Sequence, residues 1–235
     1  AYRDFPRVFG DQYEANGLEG TNQTPDVLDE ARWGLDWLLK MHPRDDWMFN
    51  QVGDDRDHTG FRLPQKEQLY GRGSERPVYF VSGEPQIRGK YMNTTKGTSS
   101  TAGKFSSAFS IGADIYGQKD TAFASLLSQK ALSAFAYGLK KPGYTQTASV
   151  KASYIYGEEN WMDDMELAAA MLNDNSKLSY AFELGQKEPV TQWIIDDTAA
   201  HYQWYPFINA GHYELSKKLN GKEKLTLLLK FLSCL

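Results

Sequence analysis

Three carboxylates fall within four residues of one stretch: Asp54, Asp55 and Asp57, in NQVGDDRDHTGFRLP from Asn50 to Pro64. Carboxylates this close repel one another, so one is pushed to keep its proton. A retained proton is what a general acid needs. A solvated polar turn explains the same residues without chemistry, and is the more common case. A second pair of acids, Asp163 and Asp164, opens the pattern WMDDMELAAAML. Acids at a helix start are already accounted for by the helix dipole.

Aromatic side chains supply the other chemistry. The chain has 6 Trp, 14 Tyr and 12 Phe. Such rings are core payload first, and they are also the faces on which sugar rings stack. Tyr154, Tyr156 and Trp161 border the start of the Asp163 helix, where they can line a groove. His201, Tyr202, Trp204 and Tyr205 form the densest aromatic cluster, a pattern more often met in a core. The chain has no Walker loop, G-x-S-x-G, H-E-x-x-H or G-x-G-x-x-G, which argues against nucleotide and zinc chemistry. The net charge of -4 implies no nucleic-acid partner. Its single cysteine, Cys234, forms no disulfide within the chain. The sequence shows no apolar run long enough to cross a membrane, and no signal peptide.

The elements that must position these residues are read as helices. Apolar residues Leu28, Ala31, Leu35, Leu38 and Leu39 recur at helical spacing in PDVLDEARWGLDWLLKM, with Trp33 and Trp37 four apart. Thr24 before Pro25 reads as its N-cap. Further helices are expected over about 98–116, 120–139, 161–172 and 177–185, and from 198 or 206 to about 219. Gly117 is expected to stop the second. Residues 43–97 read as one long irregular segment with a short strand at Tyr79–Val81, and a loop of that length is usually functional. Helices alternating with loops and few strands indicate an all-α domain of paired helices. The unit is drawn at 1–220. Residues 221–235, GKEKLTLLLKFLSCL, are set apart as a Leu-rich tail. They read either as a terminal helix or as a stretch foreign to the domain, such as a frameshift would produce.

Four blocks in this order resemble glycoside hydrolase family 9, the cellulase-type inverting enzymes. They are PDVLDEARWGLDWLLKM, NQVGDDRDHTGFRLP, the helix pair of 99–143 with AFASLLSQKALSAFAYGLKKPG, and YIYGEENWMDDMELAAAML. The resemblance implies an (α/α)6 barrel, here with about half of its twelve helices. It also implies hydrolysis of β-1,4-glucan by inversion, with one carboxyl activating water and a second protonating the leaving oxygen. It places His58 beside the substrate cleft. Phe61 and Arg62 stand where the family often carries sugar-stacking tryptophans. Asp163 and Asp164 fall at a D-E pair that holds calcium in some members, and adjacent hard oxygens suit that ion. The family's base lies in a D-A-G-D motif and its acid in a C-terminal N-E motif. Neither is found here, so the chain reads as the middle of such an enzyme, and Asp54, Asp55 and Asp57 remain the candidate catalytic acids. Family membership implies secretion or a periplasmic location, β-glucan or cello-oligosaccharide as partner, and no obligatory cofactor. A half barrel leaves apolar faces open, so a homo-oligomer, or a tail folded over the gap, is expected. A non-catalytic β-glucan-binding half barrel is the alternative function.

Overall fold

The computed structural model describes residues 1–54, 56, 60–61, 63–66, 68, 70, 75–88, 91–147, 158–188 and 210–232. Among them are seven α-helices: α1 (Asp26–Met41), α2 (Ser99–Tyr116), α3 (Thr121–Lys140), α4 (Met162–Met171), α5 (Leu178–Lys187), α6 (Ala210–Ser216) and α7 (Gly221–Leu232). Two antiparallel ribbons interrupt them, β1 (Phe49–Val52) with β2 (Val78–Phe80), and β3 (Ile87–Arg88) with β4 (Tyr91–Met92). The expected helices stand within a few residues of their expected bounds. The sixth is the exception. It is the short α6, and residues 198–209 lie outside the described set.

Helix α2 is the hub of the first half, packed on α1, α3 and α4, and α4 carries the second half, packed on α5 and α6. Its composition explains how α2 does this. Small residues let neighbouring backbones approach. A Cβ at Gly112 would meet Leu35 and Leu127 side chains at 2.8–2.9 Å. The buried serines do not leave polar atoms unmet. Ser99 donates to Gly138 O (2.8 Å), Ser106 to Ala131 O (2.9 Å) and Ser110 to Ser106 O (2.9 Å). Paired in this way, buried hydroxyls cost little. Phe109, Leu28, Met48, Leu127, Met165, Leu215 and Leu227 are fully buried and make one continuous core.

Two helix ends differ from expectation. Thr24 does not cap α1: Pro25 occupies the N-cap position with extended ψ, and no side chain caps it. The Asp26 carboxylate instead accepts the backbone N–H groups of Gln12 (3.1 Å) and Tyr13 (2.9 Å), tying the N-terminal segment to the helix start. Gly117 does follow the last residue of α2, but at φ -50° it is right-handed, not the left-handed stop that glycine usually supplies. The chain turns because Asp120 begins α3 three residues later, its carboxylate accepting from Phe123 N at 2.9 Å.

The long segment 43–97 is less irregular than its letters suggest. A bulge between Phe49 and Gln51 bends β1 against β2, and the Phe49 and Phe80 rings meet edge-on at 5.7 Å. The Tyr137 hydroxyl of α3 donates to the buried Val81 carbonyl (2.6 Å) and so anchors the ribbon to the helices.

Candidate functional site

Asp54 lies just past the end of β1, after Gly53, whose N–H is held by Pro77 O (2.9 Å) and whose φ of +77° suits glycine. The Asp54 side chain is fully buried, and its carboxylate is taken up on both oxygens. Arg56 donates to Oδ1 from Nε (2.8 Å) and to Oδ2 from Nη2 (2.7 Å). The Tyr79 hydroxyl of β2 also donates to Oδ2 (2.7 Å). The Asp54 N–H reaches the Tyr70 hydroxyl (3.2 Å), and the Arg56 guanidinium stacks 4.2 Å from the Tyr70 ring. Through its hydrogen bonds, Asp54 holds Arg56 more firmly protonated than usual. A two-pronged guanidinium pair is the strong form of this contact. Asp54 therefore organises the loop, and its geometry is that of a fixed counter-ion more than of a proton donor. Asp55, Asp57, His58 and Arg62 lie outside the described residues. Phe61, between them, is fully exposed and available to a stacking partner.

At the other end of the pattern, Asn160 caps the approach to α4. Its Oδ1 accepts from Trp161 N (2.8 Å) and Met162 N (3.1 Å), while the Trp161 ring packs partly buried against the core. Tyr154, Tyr156, His201, Trp204 and Tyr205 fall outside the described residues, as does Tyr202. Asp163 and Asp164 are brought together in the first turn of α4, both buried. Burial, with some help from Glu158, raises Asp163 to about 6, and burial beside Asp163 and Glu158 also raises Asp164. The Lys104 ammonium stands between Asp164 and Glu158, 2.6 Å from Asp164 Oδ2 and 2.5 Å from Glu158 Oε1. Among the described residues no group of three or more His, Cys, Asp or Glu is arranged to hold a metal ion.

One cluster was missed by the reading of the letters. Both carboxylate oxygens of Glu166 on α4 lie 2.7 Å from His212 Nδ1 on α6, and the His212 Nε2 faces Glu188 Oε2 at 3.6 Å. All three side chains are fully buried. A Cβ at Gly185 would stand 2.7 Å from Glu166 Oε1, and one at Gly211 would stand 2.9 Å from its Cδ. Two glycines from two helices thus make the room for one carboxylate. Buried charges persist only when paired and hydrogen-bonded. Fully enclosed, the cluster cannot touch a polymer, so its role is to tie α4, α6 and the end of α5 together. The available signal was a lone Glu in the otherwise apolar MELAAAML, with no polar face for it to join.

The geometry can now be set beside known proteins. The family model described as Glycosyl hydrolase family 9 matches residues 1–226. Endoglucanase 24 of Oryza sativa subsp. japonica is 27% identical over 177 residues, covering 73% of this chain and 30% of that protein. Endoglucanase 14 of Arabidopsis thaliana is 25% identical over 189 residues, covering 78% of this chain and 35% of its own length. Among solved structures, a metagenome-derived glycoside hydrolase family 9 endoglucanase superposes with a TM-score of 0.63 at 19% identity, over 99% of this chain and 38% of that one. The endoglucanase of the termite Nasutitermes takasagoensis also gives 0.63 at 19%, over 87% and 44%. The chain spans about a third of the length of the curated relatives it matches. The solved structures share its helical fold, and the match of the family model across nearly its whole length completes the case: the chain belongs to glycosyl hydrolase family 9.

Proposed function

We propose that this chain forms the groove-bearing part of a β-1,4-glucan hydrolase that acts by inversion on cellulose-type chains or cello-oligosaccharides. The observation that carries the reading is the family match over residues 1–226, supported by relatives named endoglucanases. The sugar-facing residues are His58, Phe61, Arg62, Tyr154, Tyr156, Trp161, His201, Trp204 and Tyr205. Of these, the exposed ring of Phe61 already offers a stacking face. Asp54 fixes the loop through Arg56 and Tyr79. Asp55 and Asp57, beside it, are then the first candidates for proton transfer. An inverting pair needs its two carboxyls about 6.5–9.5 Å apart, with a water between substrate and base. No cofactor enters this mechanism. The reading carries with it a secreted or periplasmic location.

A second reading is a non-catalytic β-glucan-binding half barrel. The full engagement of the Asp54 carboxylate by Arg56 and Tyr79 favours it.

One experiment separates the two. The chain is incubated with cello-oligosaccharides and the fresh products are read by proton NMR of the anomeric region. Release of α-anomer, abolished by Asp55→Asn or Asp57→Asn, is the expected result. Binding without turnover gives the site to the second reading. A folded chain that neither binds nor cleaves sinks both.

A further inference from the structure

Lys104 is the one basic residue of α2, a helix built mostly from small and apolar residues. Its ammonium bridges three pieces of chain: α2 itself, the first turn of α4 through Asp164, and Glu158 before that turn. Glu158 and Asp164 both accept from it, and Asp163 stands near enough for its charge to act on the same site. A bound metal or a side chain can neutralise these acids. Space decides between the two. The neighbouring Gly103 brings the α2 backbone so close that a Cβ would stand 2.7 Å from Asp164 C and O. A calcium ion needs six to eight oxygens at about 2.3–2.6 Å around itself, and at this point the Lys104 Nζ already stands 2.5–2.6 Å from two of the oxygens available. Electrostatics agree. Burial works against the ammonium, yet the charges of Asp164, Glu158 and Asp163 outweigh it and hold Lys104 protonated beyond its usual range. Asp163 Oδ1 is buried without a hydrogen-bond partner among the described residues, the one feature that would welcome a metal.

We infer that the Lys104 ammonium takes the place of a divalent cation at the start of α4, so that the acidic cluster is closed by the chain's own side chain and takes no calcium. The inference does not depend on the glucan-hydrolase reading, and its test uses no substrate.

Thermal unfolding of the 235-residue chain is followed in EDTA and in millimolar calcium. The expected midpoint is the same in both. Lys104→Met leaves the buried Asp164 carboxylate without its half-exposed counter-ion and lowers the midpoint by about 2–4 °C. Lys104→Arg keeps the charge and loses less. In a double-mutant cycle, Asp164→Asn costs less in the Lys104→Met background than in the parent, an effect that a purely space-filling lysine would not produce. A parent midpoint raised by calcium and lowered by EDTA overturns the inference, and that arm needs no variant to fold. A Lys104→Met chain as stable as the parent overturns it as well.

Discussion

His42, at the end of α1, shows how one residue ties sequence to pH. Its ring is fully buried, with Nδ1 2.8 Å from Trp47 O and Nε2 2.8 Å from Ser133 Oγ, and that hydroxyl oxygen also lies 2.6 Å from Asp45 Oδ1. Burial, aided by the nearby positive charge of Lys130, lowers its pKa from 6.5, while the Trp47 carbonyl works the other way. The unfolded chain then takes up a proton before the folded one as pH falls through 6.5. Stability contributed by neutral His42 is complete above that value and is lost below it, toward the lower folded pKa. Asp163 acts in the opposite sense. Raised from 3.8 to about 6, it binds its proton first in the folded state, so its share of stability grows as pH falls through 6. The two partly cancel in the parent protein, so the useful quantity is a difference. Urea unfolding of the parent and of His42→Gln, from neutral pH downward, should show the stability gap narrowing below 6.5. A gap that stays constant with pH would remove His42 as the titrating group.

At the scale of elements, α7 is the sharpest case. The letters GKEKLTLLLKFLSCL left open whether this stretch belongs to the domain. It forms a helix packed on α5 and α6, and Leu227 is fully buried, within 3.1 Å of where a Gly185 Cβ would stand. Leu225 and Leu229, on the outer side, remain more than half exposed. Leu227→Ala should cost about 2–5 kcal/mol of unfolding free energy by chemical denaturation, whereas Leu229→Ala should cost almost nothing. Equal small effects would mean that α7 is not part of the cooperative unit. The comparison also shows what periodicity can and cannot convey. Runs such as 99–116 and 121–140 were legible because helix-forming residues fill whole turns. Ends were less so: Thr24 and Gly117 have the right types for their positions, yet Asp26 ties the α1 start to Gln12 and Tyr13, and it is Asp120, as the local cap of α3, that sets the turn after α2. The ribbon β1–β2 was half seen, since pairing across some thirty residues leaves no local period. Of the candidate site, the grouping of Asp163 with Asp164 was legible. The partners Lys104 and Arg56 were not recognised, because each is a single charge whose meaning depends on where the chain folds back.

At the scale of the molecule, two tryptophan rings stand out on the described surface of α1. On α1, Leu28 and Leu35 face inward, while Trp33 is 71% and Trp37 38% exposed. Trp33 also borders a cleft of about 490 Å³ lined by Tyr13, Glu14, Asp29 and Glu30. Large apolar surface of this kind seeks a partner. We predict self-association through this face, which sedimentation velocity would detect as a species heavier than the 26.6 kDa chain. Trp33→Lys should shift the boundary back to the monomer without loss of helix content. A parent chain that is monomeric at every concentration would count against it.

The Glu166 cradle has a consequence for how this chain can be recombined with its relatives. Glu166, Gly185, Gly211 and His212 sit on three helices, yet each is acceptable only because of the others. The glycines leave the space that the Glu166 carboxylate fills, and the imidazole gives that buried carboxylate a hydrogen bond. A chimera that imports α4 alone from a relative lacking the glutamate would face His212 with an unmatched surface and leave a gap beside both glycines. The four positions are therefore expected to be exchanged successfully only together.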